Sequence, residues 1–284
     1  MANISLSAPT DSELAAKLLR DAGALAHSIR SGGLAELRAG SHIKAGVSDF
    51  ATAADLAAEK YLFEALRAAR PEDSILGEEG AGFEGSSGRC WVIDPVDGTF
   101  NFASGSRYWC AALALAAIPE DSSLSATSDP LADAEVLLGA VYQHEEDKLW
   151  MGGSEHPATL NGAAITVDTR DDISQLCAGS YIHPGWLAQP QAAEPWQRAA
   201  VLPATLRMMG SGSCDLSRVA QGELGAWFQH SCPSWDWLPG KGIVRAAGGD
   251  TAVVLVDGLN WFLAGPAGAV AQLKIALEGG ALPA

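Results

Sequence analysis

Residues 91–102 read Trp-Val-Ile-Asp-Pro-Val-Asp-Gly-Thr-Phe-Asn-Phe, which sets two carboxylates, Asp94 and Asp97, around a proline and directly before Gly-Thr. The apolar run Cys90 to Ile93 predicts a buried strand. Because Pro95 cannot continue a ladder, the chain is expected to turn where Asp94 appears, leaving both acids at a strand end. Oxygen ligands gathered there suit hard divalent cations, and the backbone N–H groups of Gly98 and Thr99 offer a dock for phosphate. Residue types and spacing together imply metal-assisted phosphate chemistry.

Further acids occupy similar places. Glu78 lies in Gly77-Glu78-Glu79-Gly80, just after a short strand-like segment, and Asp236 follows Trp235 where a helix is expected to open. Taken singly, each acid reads equally well as a solvated turn residue or a cap, and Asp55 as the N-cap of the helix after it. Gathered in one place they would repel strongly, a situation that divalent ions relieve.

The elements that must position these groups follow from periodicity. Helical spacing predicts helices over 11–28 and 55–70, then strands over 74–76, 90–93, 108–117 and 135–144, with a Ser/Asp/Pro-rich surface loop over 119–133. A turn at Asn161-Gly162 precedes strand-like segments at 165–167 and 176–182 and a short helix near 195–201. Helices over 214–221, 236–247 and 267–277 and strands over 226–229, 252–256 and 261–264 complete an α/β chain. No repeat or long linker appears, so the 284 residues read as one domain, which the loop at 119–133 or the bend near 184–190 could divide into lobes, the latter into 1–183 and 184–284.

Composition narrows the partners. Eighteen basic against 34 acidic residues give a formal charge of −16, whose field repels nucleic acid and anionic membranes. A phosphorylated substrate would be repelled too, unless bound cations reverse the local sign. No apolar run reaches membrane-spanning length, the first residues lack a leader pattern, and five scattered cysteines without a Cys-x-x-Cys pair read as reduced thiols, so a cytoplasmic protein is expected.

The chain resembles the inositol monophosphatase family, magnesium-dependent and lithium-sensitive phosphatases. Gly77-Glu78-Glu79 matches the family's Gly-Glu-Glu, Asp94 to Phe102 its Asp-Pro-Ile-Asp-Gly-Thr-x-Asn-Phe with Val96 for Ile, and Trp235 to Gly240 its Trp-Asp-x-Ala-Ala-Gly. Lys44, the segment Asp49 to Asp55, and Ala247-Gly248-Gly249 match further family elements. The resemblance implies a layered αβαβα sandwich of the inositol monophosphatase/fructose-1,6-bisphosphatase type, assembled as a homodimer. It further implies that Glu78, Asp94 and the Val96 carbonyl hold one Mg2+, that Asp94, Asp97 and Asp236 hold a second, and that a third sits near Glu78. Thr99 and Asp55, with Glu78, would activate water. Lys44, Gly98, Thr99, Gly210, Ser211, Gly212 and Gln229 would contact the substrate, a small phosphorylated metabolite with inositol monophosphate first and histidinol phosphate or a sugar or nucleotide phosphate next.

Departures bear on specificity. Leu238 and Pro239 replace two alanines, with Pro239 expected in the first helical turn, and Ala246 stands for the usual Glu before Ala-Gly-Gly. Gln229 stands where inositol-specific members carry a Glu that contacts a ring hydroxyl, and Gly212 replaces an Ala of the substrate-facing segment. Other chemistries fit poorly: an aspartyl-nucleophile phosphatase needs Asp-x-Asp, Gly240-Lys241 lacks P-loop spacing, and the serines near Gly210 have no motif-linked histidine. His183 is a loop histidine or a substrate contact. A non-catalytic scaffold that binds metal or protein is the reading from another class, opposed by the joint presence of Glu78, Asp94, Asp97, Thr99 and Asp236.

Overall fold

The structure, a computed structural model, describes residues 8–39, 42–46, 49–119 and 131–281, with the side chains of 36, 39, 42–46, 49 and 50 outside the described set. Helix α1 (Asp11–Ser31) starts at a capping box, where the Glu13 N–H donates to Thr10 Oγ1 and the Thr10 N–H donates back to Glu13 Oε2. Then come α2 (Leu34–Ala39), the paired strands β1 (His42–Gly46) and β2 (Asp49–Ala51), and α3 (Ala53–Ala69).

The first large sheet contains β3 (Ser74–Gly77), β4 (Gly82–Phe83), β5 (Arg89–Asp97), β6 (Cys110–Ala117), β7 (Val136–Gln143), β8 (Lys148–Gly153), β9 (His156–Leu160) and β10 (Ala163–Ala164), with the short helix α4 (Thr99–Ala103) after β5. Its order is β10-β9-β8-β7-β6-β5-β3-β4, with β3 and β5 parallel. The second sheet contains β11 (Cys177–Ser180), β12 (Thr205–Arg207), β13 (Ala226–His230), β14 (Asp250–Val256) and β15 (Leu259–Gly265), in the order β12-β11-β13-β15-β14. Helices α5 (Pro190–Ala200), α6 (Gly212–Ala220), α7 (Ser234–Ala246) and α8 (Ala267–Leu277) alternate with these strands.

Strand alternation sorts the apolar side chains into layers. Trp91 and Ile93 of β5, with Leu113 and Leu115 of β6, pack on Leu18 of α1 and Leu62 and Leu66 of α3. Cys90, Val92, Ala112 and Ala114 point the other way, towards Leu216 of α6 and Leu238 and Ile243 of α7, where Trp227 and Phe262 of the second sheet join them. Phe228, Trp261 and Leu263 cover the far face against Leu273 and Leu277 of α8. The layering is therefore αβαβα, with α6 and α7 between the sheets. Helix α7 lies close on β7: a Cβ added at Gly139 would come 2.1 Å from the Pro239 carbonyl oxygen.

Several expectations need correction. β5 does not turn at Asp94. It runs on to Asp97, and its ladder with β6 slips between the pairs Asp94–Ala112 and Asp97–Cys110, so Pro95 and Val96 occupy a bulge, where a sheet tolerates proline. Pro239 sits in the second turn of α7, because the helix already begins at Ser234. The segment 165–167 forms no strand. The hairpin arm after Asn161-Gly162 is Ala163–Ala164, and the Val167 N–H donates instead to the Ala247 carbonyl.

Strands β8 and β9 escaped the periodicity reading, since Trp150-Met151-Gly152-Gly153 has no apolar alternation. The chain passes between sheets before residue 177, and β11 already pairs with β13, so the bend at 184–190 does not separate them. Of the loop at 119–133, residues 120–130 lie outside the described set. No helix among the described residues is long and apolar enough to cross a membrane.

Candidate active site

On a regular strand, residues three apart point to opposite faces. The bulge at Pro95-Val96 changes that count. Directly opposed residues share a face, and Asp94 and Asp97 oppose Ala112 and Cys110, which are two residues apart and both face α6 and α7. The extra residue thus turns both carboxylates into the layer between the sheets, where Asp236, in the first turn of α7, meets them. One ligand atom from each of Asp94, Asp97 and Asp236 lies within 4.8 Å of the others.

Each acid is held by its element. Asp97 Oδ2 accepts the Ser213 N–H at 2.5 Å, at the start of α6, and the Cys110 thiol at 3.8 Å. Glu78 sits on the turn after β3, which is clamped from below by Glu59. The two carboxylate oxygens of Glu59 accept the Glu79 N–H at 2.7 Å and the Ala81 N–H at 2.8 Å. Sequence reasoning missed Glu59, although it was findable: it is a buried acid on the same helical stripe as Ala58, Leu62 and Leu66, and such a residue needs a partner.

Asp55 is not the N-cap of α3. Thr52 is the cap and Asp55 the third residue of a capping box, accepting the Thr52 N–H at 3.0 Å and the Thr52 hydroxyl through Oδ2. Its other oxygen, Oδ1, lies 3.0 Å from Thr99 Oγ1, which is also 3.1 Å from the Val96 carbonyl oxygen. The single Thr99 proton goes to one of these acceptors, so a lone pair remains for a third partner. Asp55 therefore serves helix and site together. Asn101, a second residue missed, donates to the carbonyls of Tyr108 at 2.9 Å and Met209 at 2.7 Å and ties α4 to the segment before Gly210.

Glu78, Asp94, Val96, Asp97, Gly98, Thr99, Gly210, Ser211, Gly212, Gln229 and Asp236 all line one open cavity of about 480 Å3. Gly98 needs to be glycine twice over: its φ is +90°, and a Cβ there would meet the Gly210 carbonyl oxygen at 3.1 Å. Asp55 stands behind the lining, reached through Thr99. The Lys44 side chain lies outside the described residues, and so does that of Asp49. His183 lines the same cavity.

Burial raises the Asp94 pKa well above its ordinary value, and the charges of Glu78, Asp97 and Asp236 add to the rise. Burial also raises that of Asp97, against the opposing Ser213 hydrogen bonds. Asp55 is pushed up to about 7 by burial, with Glu78 and Glu79 contributing. Desolvated, mutually repelling carboxylates with all-oxygen donor atoms fit a magnesium site: a dication supplies the charge that no lysine or arginine among the described lining residues supplies.

A pH dependence follows. Carboxyls with raised folded pKa values favour the metal-free fold below the ordinary carboxylate range, and that contribution is lost as pH rises through the raised values, to about 7 for Asp55. Metal binding requires the deprotonated forms, so the thermal shift produced by magnesium on chelator-stripped protein is expected to be larger at about pH 8 than at about pH 5.5. An equal shift at both pH values would contradict the assignment of these acids as ligands.

Comparisons with known proteins bear on the family and the fold. A family model, the inositol monophosphatase family, matches residues 10–280. The Nus factor SuhB of Xylella fastidiosa is 32% identical over 202 residues, 71% of this chain and 68% of that protein. The inositol-1-monophosphatase of Rhizobium meliloti is 29% identical over 206 residues, 72% of each chain. Extragenic suppressor protein suhB of Bartonella henselae superposes with a TM-score of 0.79 at 22% identity, covering 95% of this chain and 99% of that one, a likeness of fold.

Proposed function

Because the chain belongs to the inositol monophosphatase family, we propose that it is a magnesium-dependent hydrolase of phosphoric monoesters, acting on a small metabolite with one phosphate. The observation that carries this reading is the convergence of Asp94, Asp97 and Asp236 within 4.8 Å, with the Thr99–Asp55 pair beside them. Glu78, Asp94 and the Val96 carbonyl would hold one ion, and Asp94, Asp97 and Asp236 a second, with Asp94 shared. Bound magnesium supplies Lewis acidity towards the phosphate and lowers the pKa of water.

The chain's own groups do the rest. Thr99 Oγ1 accepts a proton from the attacking water as its own passes to Asp55 Oδ1, 3.0 Å away. The water oxygen bonds to phosphorus, the ester P–O bond breaks, and its electron pair leaves on the alcohol oxygen, which takes a proton from solvent. The N–H groups of Gly98 and Thr99 would hold phosphate oxygens, with Gly210, Ser211 and Gly212 lining the cavity beside them. Glu78 and Lys44 complete the proposed set.

The test is phosphate release from a panel of monoesters, inositol 1-phosphate included, with magnesium, with chelator, and with added lithium. Release that requires magnesium and falls with lithium is expected. Failure to hydrolyse any ester would favour the non-catalytic scaffold that binds metal or protein. We also propose a single-domain chain paired as a homodimer; sedimentation showing only a 29.4 kDa species at micromolar concentration would remove the dimer.

A further inference from the structure

The cavity changes character with depth. At its floor Asp94 and Asp97 are 1% and 7% exposed, whereas at its mouth Phe100 is 55% and Met208 48% exposed, two of the few large apolar side chains left open to solvent among the described residues. Tyr181, His183, Met209 and Gln229 line the same cavity. These residues have a common origin. Tyr181 and His183 follow β11, Met208 and Met209 follow β12, and Gln229 lies near the end of β13, three strands that run parallel, so the wall is built at their carboxyl ends.

The wall excludes several leaving groups. Apart from Glu78, Asp94, Asp97 and Asp236, the charged group among the described lining residues is Asp215, and its Oδ1 already accepts the Tyr108 hydroxyl at 2.6 Å. A second phosphate finds no lysine or arginine there, and the net charge of −16 adds long-range repulsion. A cationic amine finds no uncommitted carboxylate. A polyol would find Tyr181, His183 and Gln229 as polar partners but would lay its remaining hydroxyls against Phe100 and Met208. A planar uncharged ring matches the wall: aromatic faces and thioethers attract it without hydrogen bonds, and the amide of Gln229 can both donate to and accept from a ring heteroatom.

Resting on the phosphatase reading above, we infer that the leaving-group side of this site takes the uncharged aromatic ring of a phosphate monoester, with Phe100, Tyr181 and Met208 as its specificity-determining contacts. The shared chemistry is a planar ring on an alcohol that carries one phosphate, and either a simple aryl-alkyl alcohol or a nucleoside could supply it.

The test compares 2-phenylethyl phosphate and adenosine 2′-monophosphate with inositol 1-phosphate and histidinol phosphate. All four leave as alkyl alcohols, so differences in kcat/KM report recognition more than leaving-group reactivity. The aromatic esters are expected to exceed inositol 1-phosphate by roughly 10-fold or more. Phe100→Ala combined with Met208→Ala should lower the ratio of kcat/KM for the phenylethyl ester to that for the inositol ester by roughly 10-fold, while Gln229→Glu moves the same ratio towards the inositol ester. Preference for 2-phenylethyl phosphate over the nucleotide would assign a simple aryl-alkyl alcohol, and the reverse a nucleoside. Magnesium-dependent release with the polyol preferred, or a ratio unchanged in the double variant, overturns this inference and leaves the phosphatase reading standing. No release from any ester, methyl phosphate included, overturns both.

Discussion

Asp94→Asn is expected to abolish turnover, with kcat/KM falling on the order of 10³-fold or more and excess magnesium restoring nothing. Asp94 is 1% exposed, inside β5 directly before the bulge, and shares its pocket with Asp97 and Asp236. An amide there keeps the shape but removes the charge that both proposed ions use. Asp236→Asn should cost less, roughly 10- to 100-fold, and respond to added magnesium, because it would touch one ion alone.

Stability supplies a second readout that separates loss of a ligand from loss of the fold. Removing the Asp94 charge relieves repulsion from Glu78, Asp97 and Asp236, so the metal-free variant should melt no lower than the parent at neutral pH, and magnesium should no longer raise its Tm. Equal losses in the two variants, both beyond rescue, would refute the shared role of Asp94.

Gly139→Ala is expected to destabilise the fold through a single added methyl. The added carbon would lie 2.1 Å from the Pro239 carbonyl oxygen and 3.0 Å from the Pro239 carbonyl carbon, both backbone atoms that cannot swing aside. Overpacking of this kind costs about 1–3 kcal/mol, and each kcal/mol lowers Tm by roughly 2–4 °C in a protein of this size. The effect should reach the site as well. Helix α7 carries Asp236 in its first turn, so pushing the helix off β7 draws one carboxylate away from the other two. Weakened magnesium dependence together with the lower Tm is therefore expected. An unchanged Tm would mean that α7 slides on β7 at little cost.

Much of this architecture is legible in the sequence because local and global preferences agree. The closing helix Ala267–Leu277 is found over the predicted residues, and the spacing of Leu62 and Leu66 is enough to mark the buried face of α3. The acids are legible as chemistry because Asp94 and Asp97 sit in a stretch whose apolar flanks leave them nothing else to do. What escapes is tertiary. The bulge is a property of the β5–β6 pairing, so no feature of Pro95 alone distinguishes it from a turn. Strand β8 ends on two glycines, and neighbouring backbone presses on the second: a Cβ at Gly153 would meet the Leu137 carbonyl oxygen at 2.2 Å. Such packing erases the alternation by which strands are recognised. Glu59 and Asn101 bind backbone groups far away in sequence, and those partners become visible only when the chain is folded.

The bulge also decides what alanine scanning can see. Its extra residue contributes to the cavity through a main-chain carbonyl, the Val96 oxygen that sits 3.1 Å from the Thr99 hydroxyl. Side-chain replacement at position 96 leaves that oxygen in place and alters only how the residue packs beside Phe102 and Trp109. A scan would therefore score Val96 as a minor stability position and pass over a group that the proposed magnesium site uses. The same blindness gives the sequence freedom to drift between Val and Ile there without changing an oxygen donor. Only an edit to the backbone itself, such as an amide-to-ester replacement of the Val96–Asp97 linkage, which weakens the carbonyl as a donor of electron density, would bring that contribution into view.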